Sequence, residues 1–130
     1  MSIEKEEGHA PDILPFYNRQ GRAVLYLYNG DYFYLYDGTP VAWLHSGEHI
    51  YAYSGEYLGW LQDGWIRDRL GDAAFFSVGC SGGPARPARQ ARPASGARGA
   101  QPARGARQAR PARPARSSSW SSQSDDSFFS

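Results

Sequence analysis

His45, Glu48 and His49 bracket the dipeptide Ser46-Gly47, and a two-residue hairpin at that point would set His45 opposite Glu48. Imidazole and carboxylate groups are metal-ligand types. No further ligand stands in register with them, so a solvated turn accounts for the trio better than a metal centre. The single cysteine, Cys80, would need a neighbouring base to act as a nucleophile, and the sequence around it supplies none. Serines crowd only into residues 117–130, without a Gly-x-Ser-x-Gly elbow. The glycines never bunch into a loop that would cradle a phosphate. The expectation is a protein that is not an enzyme, with no metal and no cofactor.

Two other sets of residues carry the chemistry of binding. Tyr34, Tyr36, Tyr51 and Tyr53 alternate along two short segments, and Arg67 and Arg69 occupy the matching positions further on. On one face of a sheet they would form a stacking platform, or a cage for a carbohydrate or quaternary amine, or a membrane-interface patch. Simple cover for a small core explains the same tyrosines, because a body of this size buries only about 60% of its unfolded surface. The second set runs from Pro84 to Arg116, eleven triplets with alanine always in the middle. Arginine fills the third place as Arg86, Arg89, Arg92, Arg98, Arg104, Arg107, Arg110, Arg113 and Arg116, with Ser95 and Gln101 as the exceptions. Guanidinium groups so closely spaced attract phosphate, whether of anionic lipid head groups or of nucleic acid. Recognition of nucleic acid would be blind to sequence, since the tract has no interleaved aromatics. A passive low-complexity tract, and attachment to the acidic body of the same chain, are the other readings.

Charge is segregated along the 130 residues. The net +1 conceals residues 1–83 at −6 and residues 84–116 with nine arginines and no acid. An acidic body with a basic arm is the pattern of a polyanion partner. One cysteine allows no intramolecular disulfide and fits a reducing compartment. Residues 1–13 contain no apolar core of a signal peptide, and no run is long enough to span a bilayer. The expected location is cytoplasmic, peripheral to a membrane at most.

The elements that position these residues come from a repeat. Gly21, Gly38, Gly55 and Gly71 are spaced by 17, 17 and 16 residues. Five residues before them stand Phe16, Phe33, Ile50 and Ile66; five after them stand Tyr26, Trp43, Trp60 and Phe76. Gly30, Gly47 and Gly64 follow the first three glycines by nine. X-Gly pairs at such short intervals supply the positive φ of hairpin turns, and the segments between are rich in Tyr, Trp, Val and Leu. Glycine every eight residues would cost a helix about 1 kcal/mol each time. The pattern predicts an all-β body of four tandem β-hairpin repeats, about eight short antiparallel strands, closing to remove exposed edges. Small residues at Ala42 and Gly59 mark a crowded axis. For the triplets, repeated proline and glycine exclude a helix, no large apolar residue is present, and the expectation is a disordered tail.

The phrases Asp37-Gly38-Thr39-Pro40-Val41-Ala42-Trp43-Leu44 and Ser54-Gly55-Glu56-Tyr57-Leu58-Gly59-Trp60-Leu61-Gln62-Asp63-Gly64-Trp65-Ile66 resemble the 4-fold beta flower domains of bacteria. The resemblance covers about residues 14–80. It implies a shallow pseudo-four-fold barrel of radiating hairpins and no known activity, and its likeness in shape to tubby-like domains, which bind phosphoinositide head groups, implies membrane contact. The fourth copy departs from the pattern, with Arg67 and Arg69 in place of tyrosines. The organisation expected is a flexible acidic leader at 1–13, a hairpin-repeat domain at 14–80, a disordered arm at 81–116 and a serine-rich tail at 117–130.

Overall fold

The structure is a computed structural model and describes residues 12–123 and 125–129. Eight antiparallel strands form a closed barrel in chain order. They are β1 (Ile13–Tyr17), β2 (Ala23–Tyr28), β3 (Tyr32–Leu35), β4 (Pro40–His45), β5 (His49–Tyr51), β6 (Tyr57–Gln62), β7 (Trp65–Asp68) and β8 (Ala73–Phe76). Most of the expected leader, residues 1–11, lies outside the described residues. Its last residue, Ile13, already pairs with Tyr28, so the domain begins one residue earlier than the sequence pattern places it.

Each copy turns at its register glycine in the same way. The N–H of Asn18, Leu35, Ala52 and Asp68 donates to the carbonyl of Arg22, Thr39, Glu56 and Asp72, and the glycine N–H returns to the carbonyl three residues back. Side chains fill the turn in two ways. In the outer copies, Asn18 and Asp68 accept two backbone N–H groups each through Oδ1. In the inner copies, Asp37 and Ser54 accept one each. Copies one and four thus share one turn chemistry, and copies two and three another. The other turns, Asn29-Gly30, Ser46-Gly47 and Asp63-Gly64, have positive φ at both residues, the requirement of a tight hairpin that follows the strand twist.

Strand alternation sorts the side chains. Phe16, Leu25, Phe33, Ala42, Ile50, Leu58, Ile66 and Phe75, one from each strand in turn, belong to a single buried cluster and fill the interior. Gly59 is small because it must be: a Cβ there would meet the carbonyl oxygen of Arg67 on β7 at 1.9 Å. The opposite face of the strands carries the large aromatics, in two clusters. Tyr17, Tyr26, Tyr34, Tyr36, Trp65 and Phe76 form one; Trp43, Tyr51, Tyr53 and Tyr57 form the other.

The seam between β1 and β8 is thin, resting on the pair Tyr17 and Phe76, whose rings stack at 5.5 Å. The C-terminal segment reinforces it. Ser119 and Ser121 exchange backbone hydrogen bonds with Ala73, and Trp120 packs on Trp65 and Phe76. A final 3-10 turn, Asp125–Phe129, delivers Phe128 into the interior cluster against Phe75.

Residues 84–116 are not the free arm that their composition suggests. They run as an irregular strap along the barrel, hydrogen-bonded to it at intervals. Composition excluded a core within the tract itself, which holds; of the readings it left open, attachment to the body of the same chain is the one seen, and the barrel supplies partners for the tract's backbone and its arginines. Among the described residues no helix is long and apolar enough to cross a membrane.

Candidate functional site

The strap is periodic, and its period is geared to the barrel. The N–H groups of Gln90, Gly99, Gln108 and Ser117 donate to the carbonyls of Gly21, Gly38, Gly55 and Gly71, at 2.8, 2.8, 2.8 and 3.1 Å. Nine residues of strap therefore span one 17-residue petal. Within the period, Gly96 and Gly105 donate to Tyr36 and Tyr53, both at 2.7 Å. The matching strap positions in the other two quadrants are Pro87 and Pro114, which have no N–H to give. The register glycines are required twice over. Besides positive φ, a Cβ at Gly21, Gly38, Gly55 or Gly71 would lie 1.9–2.4 Å from the carbonyl oxygen of Ala88, Ala97, Ala106 or Ala115. At Gly30 and Gly47, where no strap passes, a Cβ would meet nothing within 4 Å.

Arginines seat on the outward aromatics. The guanidinium carbon of Arg98 is 4.0 Å from the Tyr28 ring centre, Arg104 is 4.0 Å from Trp43, and Arg113 is 4.6 Å from Trp60. Arg89 over Tyr17 and Arg107 over Tyr51 are looser, at 5.7 and 6.0 Å. A cation over an aromatic face within about 6 Å is attracted by the ring quadrupole. Arg86 donates to the carbonyl and Sγ of Cys80, which is buried. Arg92 lies near Tyr36, whose hydroxyl pKa is raised by burial against the pull of that arginine. Among the described residues, Arg113 pairs with Glu48 and Arg116 with Asp63. All nine strap arginines remain exposed as residues.

The tyrosine platform does not exist as an open face. Tyr34, Tyr36, Tyr51 and Tyr53 are at most 9% exposed and divide between the two aromatic clusters. Burial, with the neighbouring Tyr34, pushes the Tyr53 hydroxyl up to about 12. Arg67 is 2% exposed and clamps the strap's end, donating from one terminal nitrogen to the carbonyls of Gly71 (2.7 Å) and Ser117 (2.8 Å). Arg69 is apart from it, half-exposed and paired with Glu56 at 3.5 Å. Tyr26, Trp43, Trp60 and Phe76, the aromatics five residues after each register glycine, are buried but point away from the interior, with strap arginines over Trp43 and Trp60.

The histidine turn also differs from the expected register. His45 faces His49, not Glu48, because the loop holds three residues. His49 bonds the Tyr57 hydroxyl (3.2 Å) and lies 3.8 Å from Glu48, while His45 faces Arg107 at 3.3 Å. Burial first, then strap arginines, lower the pKa of both imidazoles.

The strap contacts missed from composition had a signal in the sequence. Pro84, Pro93, Pro102 and Pro111 recur every nine residues, as do Gly96 and Gly105, and Gln90 and Gln108 stand two such periods apart. The glutamines are specific: Gln108 Oε1 accepts from the Tyr57 N–H at 2.8 Å, and Gln90 donates to the Gln20 carbonyl at 3.2 Å.

A substitution pair tests the seating. At Gly105 a Cβ would lie 2.3 Å from the Ser54 carbonyl oxygen, whereas at Gly99 the nearest atoms are at an ordinary 3.5 Å. Gly105→Ala is expected to destabilise by about 1–3 kcal/mol, the range of an overpacked site, and to release local amide protection in the strap. Gly99→Ala should be neutral or stabilising by a few tenths of a kcal/mol, on the order seen for glycine replacement at a compatible site. Urea unfolding and hydrogen exchange on both variants measure this; equal behaviour of the two would contradict the seating.

The model of the 4-fold beta flower protein family matches residues 14–129, which takes in the barrel, the strap and the C-terminal turn. No curated protein and no solved structure matches the chain significantly. The barrel, its four-fold turn pattern and this match agree, and the chain belongs to the 4-fold beta flower family.

Proposed function

We propose that this protein is a non-catalytic binding module that docks on anionic membrane surfaces through its arginine strap. The observation that carries the reading is the exposure of all nine strap arginines while their backbone is fastened to the barrel. A guanidinium seated by its flat face on a ring keeps N–H edges for phosphate oxygens. Fixing the strap beforehand also lowers the ordering entropy that a loose arm would lose on binding. Near an anionic leaflet each basic residue contributes about 1 kcal/mol, so several engaged together suffice for reversible attachment. Because the outward rings already hold the chain's own guanidinium groups, a cage for a free quaternary amine or a carbohydrate is the weaker reading.

Vesicle flotation tests it. The full chain is expected to float with anionic vesicles and not with neutral ones, and to be released as salt rises, since the screening length falls to about 8 Å at physiological ionic strength. Replacing all nine arginines by glutamine preserves strap length and backbone donors and should abolish flotation. Undiminished binding by that variant would exclude the strap. Displacement by duplex DNA at equal phosphate concentration would reassign the strap as a general polyanion binder.

A further inference from the structure

The strap's arginines are unevenly distributed. The segment 93–101 carries only Arg98, with Ser95 and Gln101 at the other two places, whereas 102–110 carries Arg104, Arg107 and Arg110. Those three line an open groove of about 760 Å³ whose wall on the barrel side is Trp43 and Tyr51. The backbone beside them is Gly105, where the first quadrant has Pro87, so no side chain fills the space.

Every charged group lining the groove is a cation. The nearest carboxylate in the loop beside it, Glu48, is held by Arg113. His45 sets a ring nitrogen 3.3 Å from Arg107, and three strap arginines help to keep it neutral. The repeat supplies an internal comparison. In copy three the indole N–H of Trp60 donates to Gln62 Oε1 at 2.9 Å. In copy two the position matching Gln62 is His45, and the indole nitrogen of Trp43 is buried with no acceptor. Copy two has thus exchanged an acceptor for a donor-rich wall, beside the groove that Arg104, Arg107 and Arg110 line.

We infer that the groove between Trp43, Tyr51 and Arg104, Arg107, Arg110 is a binding site for a phosphate monoester or free phosphate. Three guanidinium groups match the charge and the three terminal oxygens of a dianion better than the single charge of a diester. The site deepens the anionic-surface reading and rests on it: it names the part of the strap that discriminates among anions, where the remainder supplies attraction alone.

The test uses the full chain and inorganic phosphate, titrated at constant ionic strength and followed by calorimetry. Saturable binding at one site is expected, with chloride and acetate ineffective. Glutamine at Arg104, Arg107 and Arg110 together should weaken it at least tenfold. Glutamine at Arg86, Arg89 and Arg92 removes the same charge from another quadrant and should change it less than twofold. Equal losses from the two triple variants, or no saturation, would overturn the site. Unchanged circular dichroism and tryptophan emission establish that both variants keep the fold; should the first triple variant lose it, lysine at the same three positions replaces it, with at least half the binding free energy expected to remain and complete loss overturning the site. Vesicles carrying monoester head groups then separate the sources. Retention that inorganic phosphate displaces assigns a lipid head group, and phosphate binding without such retention assigns the free anion. If the site fails while anionic vesicles still bind the parent and not the nine-glutamine variant, the surface reading stands without it.

Discussion

Ending the chain after Gly83 is expected to leave a barrel close to the limit of stability. Such a protein lacks Phe128, which sits among the interior residues at 2% exposure against Phe75. It also lacks the strap that seats guanidinium groups on Trp43, Trp60 and Tyr28. Phe128→Ala alone should cost about 3–5 kcal/mol, the usual range for a buried phenylalanine, out of a total that for domains of this kind is about 5–15 kcal/mol. The measurement is urea unfolding of the full chain, of Phe128→Ala and of the shortened chain, with the shortened chain the weakest and showing exposed apolar surface by dye binding. A shortened chain as stable as the parent would mean that strap and C-terminal turn are accessories. The consequence for function is practical. Loss of membrane binding on removing residues 84–130 would mix lost charge with lost structure, whereas glutamine in place of arginine separates the two.

Gly59→Ala is expected to be among the most damaging single methyl additions in this chain, at about 3 kcal/mol, the upper end of the overpacking range. Gly59 pairs with Asp68 across β6 and β7, and the added carbon would lie 1.9 Å from the Arg67 carbonyl oxygen. Backbone stands on both sides of that contact, so no rotamer change relieves it. The strands would have to part where the Arg67 side chain reaches the strap, and the hydrogen bonds from Arg67 to Gly71 and Ser117 would be strained with them. Gly47→Ala is the comparison: φ is +71° there, but a Cβ meets nothing within 4 Å. Its cost should stay on the order of 1 kcal/mol, that of an L-residue held in the left-handed region. Thermal unfolding of both variants decides; a Gly59→Ala protein as stable as Gly47→Ala would remove the crowding argument.

The family and the barrel were legible in the sequence because each petal's constraints are local. A glycine with positive φ, an apolar residue five before it and an aromatic five after it all act within one hairpin, and 17-residue spacing repeats them. Gly59 as a mark of crowding was legible for the same reason. The placing of the tyrosines, the strap and the candidate anion groove was not. Tyr34 and Tyr51 look like a surface row until Gln101 and Arg107 come from more than fifty residues away to cover them. The triplets lack any residue that could order them alone, since alanine buries little and proline removes donors. Their order comes from carbonyls and rings on the barrel, at a nine-residue pitch matched to its petals. Local residue types thus determined the barrel; which of its faces is free, and where the arginines gather, was decided only by the strap's tertiary path, because the groups that meet there, on strap and barrel, stand far apart in sequence.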